Sequence, residues 1–183
     1  MAYMFEYLGL SSMLLAWICL GIMLHKWPNA GNKTISEHVT VHRRAHAVFA
    51  FGLGVGGVLI YWWAVDWLAP QLGLGSWFIA LTGIAIALQM IVAVVPADRR
   101  RAGKVHTIAA FTMAALYVPV SWLIVVSPGI SDVARMICVV LFVAMVGMSL
   151  YGSATWRRRS RVVAVQAVYV VTFQVLLLAA AYL

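Results

Sequence analysis

The chain has 183 residues, of which 64% are hydrophobic and 10% charged, with a mean hydropathy of +0.97; soluble domains carry about a quarter charged residues. This composition excludes a soluble enzyme or signalling module and implies a polytopic membrane protein. Spans joined by short connections leave no room for a separate soluble unit, so residues 1–183 read as a single domain. The formal net charge of +8 would suggest nucleic acid in a soluble protein. In a membrane protein it sets orientation, and no solvated surface here offers aromatic residues for base stacking, so nucleic acid is not expected as a partner.

A helix needs about 20 apolar residues to cross the hydrocarbon core, and runs of that length predict six spans: Tyr7 to Leu24, Ala45 to Leu68, Trp77 to Val95, Val105 to Val126, Val133 to Ser153, and Val162 to Tyr182. The expected fold is therefore an all-α membrane protein of six transmembrane helices. Glu6 stands where a signal peptide would be basic, so the first span is expected to be retained. Cys19 and Cys138 fall within apolar runs and read as small buried hydrophobes rather than a disulfide or metal pair.

The cations divide by side. Lys26, Lys33, Arg43 and Arg44 lie between spans one and two, Arg99, Arg100, Arg101 and Lys104 between three and four, and Arg157, Arg158, Arg159 and Arg161 between five and six. Only Arg135 falls on the opposite face. The positive-inside rule then predicts a bacterial inner-membrane protein with cytoplasmic basic loops and both termini on the outer side. Trp62, Trp63, Trp67 and Trp77, around the loop after span two, predict an aromatic belt at the outer interface.

Before span two, the stretch TISEHVTVHRRAH holds Thr34 and Glu37 at capping-box spacing, which predicts a helix starting near Ile35. A single helix from there would place His38, His42 and His46 on one stripe. Further along, Gly52 and Gly56, widened by Gly54 and Gly57, form a small-xxx-small surface. Ala109, Ala110, Ala114 and Ala115 offer a similar one in span four, so spans two and four are expected to form the tightest pair. Pro119 should kink span four. Among polar residues in the spans, Asp66 lies near the outer end, and Gln89, Gln166 and Gln174 are expected to bond across helices. No span carries a midplane charge, which weighs against an ion-coupled transporter or proton pump.

Chemistry would converge at the cytoplasmic surface if spans two and four touch. Glu37, His38, His42, His46, Asp98 and His106 would then meet, and imidazole with carboxylate is the ligand set of a catalytic zinc site. The opposing reading is a solvated, headgroup-facing turn, because Arg43 beside the imidazoles would repel a cation, and Asp98 after Pro96 would cap the fourth helix. Haem ligation by His46 and His106 is a further alternative.

The order TISE, FGLGVGG in span two, VVPAD closing span three and KVHTIAAF opening span four resembles bacterial six-span proteins of the domain of unknown function 998 family, and more distantly the Frag/DRAM/Sfk-like group. The resemblance is carried by motifs in spans one to four and by hydropathy alone in five and six. It implies the six-span fold and marks Ser36, Glu37, Asp98 and His106 as the matching positions. His38, His42 and His46 lie outside the pattern, and the family implies no settled activity.

Two functions follow as expectations. The first is a non-enzymatic membrane protein that binds lipid, or a membrane partner or second copy, through its basic cytoplasmic face. The second is an intramembrane metal-dependent lipid hydrolase, with zinc held by Asp98, His106, His42 and His46, Glu37 as general base and Ser36 beside it. Alkaline-ceramidase-like enzymes offer only an architectural analogy, which does not establish chemistry.

Overall fold

The computed structural model describes residues 5–27, 35–40, 42–97, 101–155 and 162–183, and all their regular structure is helical. The elements are α1 (Leu8–Lys26), α2 (Ile35–Val39), α3 (Arg43–Trp63), a π turn (Ala64–Leu68), α4 (Ala69–Leu72), α5 (Ser76–Val94), α6 (Arg101–Val125), α7 (Asp132–Thr155) and α8 (Val162–Tyr182). Six stretches are long and apolar enough to cross a membrane: α1, α3 through α4 as one 30-residue run, α5, α6, α7 and α8. The chain is thus a polytopic all-α membrane protein, and each predicted span is present within a few residues of its expected bounds. α6 continues through Pro119.

Each span packs chiefly against its neighbours in sequence, α1 on α3, α3 on α5, α5 on α6, α6 on α7 and α7 on α8. The expected pairing of spans two and four is corrected: α3 takes α1 and α5 as its main partners. Its glycines explain why. A Cβ on Gly52 would lie 2.6 Å from the Cβ of Cys19, and Gly56 approaches the Ser12 backbone of α1. Gly54 and Gly57 look instead toward Met90 and Gln89 of α5. The small residues form two seams on two faces of one helix, and both are occupied by sequence neighbours.

Hydrogen bonds cross these seams. Ser12 donates to the Gly56 carbonyl at 2.6 Å, and Gln89 donates to the Leu53 carbonyl at 2.8 Å while accepting from Tyr117 Oη at 3.3 Å. Tyr169 Oη donates to the Ala114 carbonyl at 2.6 Å, and Tyr117 stacks on Phe173 with centroids 4.1 Å apart. Trp17 Nε1 donates to Gln174 Oε1 at 2.6 Å, joining the first span to the last. Gln89 and Gln174 thus bond across helices, as expected. Cys19 and Cys138 are buried free thiols, and Cys138 donates to the Leu176 carbonyl.

Both described chain ends lie at one end of the bundle. The Glu6 carbonyl accepts from Trp63 Nε1 at 3.2 Å and from Tyr182 Oη at 2.5 Å, and Ser131 Oγ donates to the Leu183 carbonyl. This terminal end holds most of the core, including Trp63, Leu68, Phe78, Ile124 and Leu176. The expected tryptophan belt divides here. Trp63 and Trp67 are buried and stack on each other at 5.7 Å, with Tyr182 against Trp67, whereas Trp62 and Trp77 are 52% and 75% exposed. Pro70 cannot donate to the carbonyl four residues back and its ring crowds that carbonyl. The π turn before it, closed by Ala69 N–H on the Ala64 carbonyl, accommodates both effects.

The loops at this end are anchored. Gly73, at φ +65°, closes a Schellman motif, with Leu74 N–H on the Ala69 carbonyl and its own N–H on that of Pro70. Gly129 N–H bonds the Leu72 carbonyl, and its bare Cα lies against the Gln71–Leu72 backbone. Ser131 Oγ caps α7 by accepting from Ala134 N–H. Arg135 donates to the Ser127 and Ile130 carbonyls beyond the end of α6, a favourable place for a cation near a helix C-terminus.

At the opposite end the described core is small: Met23 and Ala45, with Leu20, Trp27, Ile35 and Phe49 against them. Replacing Gly52 by Val should therefore loosen the α1–α3 seam by about 1–3 kcal/mol through overpacking. The same change at Gly21, which has open space around it, should cost far less, and thermal unfolding in detergent will compare the two.

Candidate functional site

The end opposite the termini carries Ser36, Glu37, His42, His46 and His106, the described ones among the residues singled out in the sequence. α2 spans Ile35–Val39, and α3 begins only at Arg43 with His42 extended at φ −127°, ψ 121° as its N-cap. At the end of α2 the Thr40 hydroxyl bonds back to the Glu37 carbonyl at 2.8 Å. The expected stripe of His38, His42 and His46 on one helix is therefore broken between its first and second members. Thr34, the first residue of the capping box, lies outside the described residues.

The imidazoles have separate environments. His42 is exposed and stacks on Trp27 with centroids 6.4 Å apart, beside Lys26, whose Nζ lies 5.8 Å over the same indole. His46 is half-buried on α3, with its Nδ1 buried and unpartnered. His106 is only 4% exposed, and its Nδ1 lies 2.7 Å from the Val95 carbonyl at the end of α5. A carbonyl can only accept, so Nδ1 carries a proton and donates it to this bond. Burial without this bond would cost about 1–3 kcal/mol. His106 therefore clamps the start of span four to the turn that closes span three.

Ser36 and Glu37 are half-buried on α2, which packs on α3. Asp98 lies outside the described residues. Among the described residues no three of His, Cys, Asp and Glu come together as a metal-binding group. His46 and His106 belong to spans that are not principal neighbours. Of the matching positions carried by the family resemblance, Ser36 and Glu37 share α2, and His106 is held from α5. The clamp to the Val95 carbonyl could not be read from the sequence, because nothing in VVPAD marks one carbonyl as an acceptor.

The cations make the second feature of this end. Lys26, Arg43, Arg44 and Lys104 are all exposed, against the single half-buried Arg135 tied to carbonyls at the terminal end. Exposed apolar side chains, including Leu24 and Val105, stand beside them. Comparison with family models, with curated proteins and with solved structures gives no match.

His106→Leu should leave the Val95 carbonyl unpaired and destabilise the protein by about 1–3 kcal/mol. His106→Asn, whose amide nitrogen can stand where Nδ1 does, should recover part of that loss. Thermal unfolding of both variants in detergent tests the clamp, and equal losses would contradict it.

Proposed function

We propose that this polytopic membrane protein sits in a bacterial inner membrane with its basic end toward the cytoplasm and both termini outside, and that the basic end binds anionic lipid headgroups or a membrane partner. The observation that carries the proposal is the set of exposed cations, Lys26, Arg43, Arg44 and Lys104, at one end of the bundle. Near a charged leaflet each such cation is worth about 1 kcal/mol. The motif order TISE, VVPAD and KVHTIAAF supports membership of the domain of unknown function 998 family as part of the same reading.

A second reading, the metal-dependent lipid hydrolase, is favoured by one observation. A histidine whose Nδ1 donates to a backbone carbonyl has its ring and tautomer fixed, the usual state of a metal-ligating imidazole, and His106 is held in this way. In that reading Asp98, His106, His42 and His46 would hold zinc, which would supply an activated water at neutral pH, with Glu37 as general base and Ser36 beside it.

Replacing Lys26, Arg43, Arg44 and Lys104 together by Gln should reduce retention of phosphatidylglycerol relative to phosphatidylcholine by tenfold or more, on the order of 1 kcal/mol per cation. Native mass spectrometry of the detergent-solubilised protein reads this directly, and unchanged retention argues against the lipid surface. Stoichiometric zinc by elemental analysis, lost in His106→Ala, would favour the hydrolase; metal-free preparations would dismiss it.

A further inference from the structure

The surface of α3 away from α1 carries a groove of about 530 Å³, lined by Ala50, Gly54, Val58, Leu59 and Trp62 of α3 and by Met90 of α5. Ala50, Gly54, Val58 and Trp62 follow one another at steps of four along the helix. Gly54 leaves its floor low, since a Cβ there would meet only Met90 Sδ at 3.9 Å. From Ala50 to Trp62 the groove extends about 18 Å at the helical rise, close to the roughly 15 Å depth of one leaflet's hydrocarbon. A second helix packed through the membrane would engage the whole span, whereas this groove is the length of one acyl chain.

Its end is chemically distinctive. Trp62, 52% exposed, stands where an indole marks the membrane–water interface. One turn further, on the π turn, Asp66 is exposed and makes no hydrogen bond or ion pair among the described residues. A carboxylate at the headgroup level repels an anionic lipid and attracts a headgroup that carries a primary ammonium. We infer that α3 and α5 form a binding site for one amine-headed phospholipid of the leaflet at the terminal end, its chain in the groove and its ammonium on Asp66. This site is independent of the basic face at the other end and asks for a headgroup ammonium rather than for net negative charge.

Native mass spectrometry of the full chain, titrated separately with phosphatidylethanolamine and with phosphatidylcholine of identical chains, tests it. The ammonium donates hydrogen bonds that the trimethylated headgroup cannot, so retention of phosphatidylethanolamine should exceed that of phosphatidylcholine by about threefold, the scale of an exposed charge pair. Asp66→Asn should abolish the preference, while Gly54→Leu, which fills the floor without meeting backbone, should lower retention of both lipids. Neutralising Lys26, Arg43, Arg44 and Lys104 should leave the preference intact, which separates this site from the basic face. Equal retention by the unaltered protein, or an undiminished preference in Asp66→Asn, would overturn the site. So would a dimer lost in Gly54→Leu with lipid retention unchanged, because the groove would then belong to a second copy.

Discussion

Hydrocarbon supplies no water to accept a hydrogen bond, so a polar side chain on a span is steered to a partner inside the protein, on its own helix or on another span. In this protein those obligations link up. Ser12 ties span one to span two, Gln89 ties span three to both two and four, Tyr169 ties span six to four, and Trp17 with Gln174 returns from span one to span six. Each bond is worth on the order of 0.6–2 kcal/mol, less than the packing around it. Their value lies in direction: apolar helices slide and rotate with little penalty, and a glutamine that must reach the Leu53 carbonyl fixes both register and rotation. Span five joins through softer contacts, Cys138 on the Leu176 carbonyl and Ser121 on Met145 Sδ.

The six spans are legible in the sequence because length and hydropathy are all that crossing a membrane demands. Their pairing is not. Gly52, Gly54, Gly56 and Gly57 announce that backbones approach closely, but a missing side chain has no chemistry with which to specify its partner. Two overlapping spacings on one helix served two neighbours, and the alanines of span four were free to pack elsewhere. The tryptophans show the same limit. Four indoles near a span end suit an interface, yet Trp63 and Trp67, four residues apart and so on one side of the helix, are buried in the core while Trp62 and Trp77 are exposed.

The candidate site was legible in outline for a different reason. Histidine, glutamate and arginine are expensive in lipid, so their clustering before span two and around PAD marks one end of the molecule without geometry. The break between Val39 and Arg43 is not legible, since a β-branched run of the same length, Val170-Val171-Thr172, stays helical in α8 and the histidine spacing argues for one helix. Only the structure shows that His106 spends its Nδ1 on a backbone carbonyl, which turns a titratable group at the mouth of a span into a clamp between two spans.

The two ends of the bundle are built to different standards. At the terminal end, Gly73, Gly129, Ser131 and Arg135 fasten loops to helix ends, aromatic rings fill the interior, and both chain ends are tied to Glu6 or Ser131. At the basic end a two-residue core, a five-residue helix and one buried histidine hold the described chain together. Cations whose long side chains remain exposed can follow a mobile headgroup, whereas Arg135, bound to two carbonyls, cannot. Exposed cations at one end and a cation spent on backbone carbonyls at the other is the asymmetry on which the proposed lipid-binding face rests, and Glu37 and His106, the residues of greatest chemical interest, lie on the side of the exposed charge.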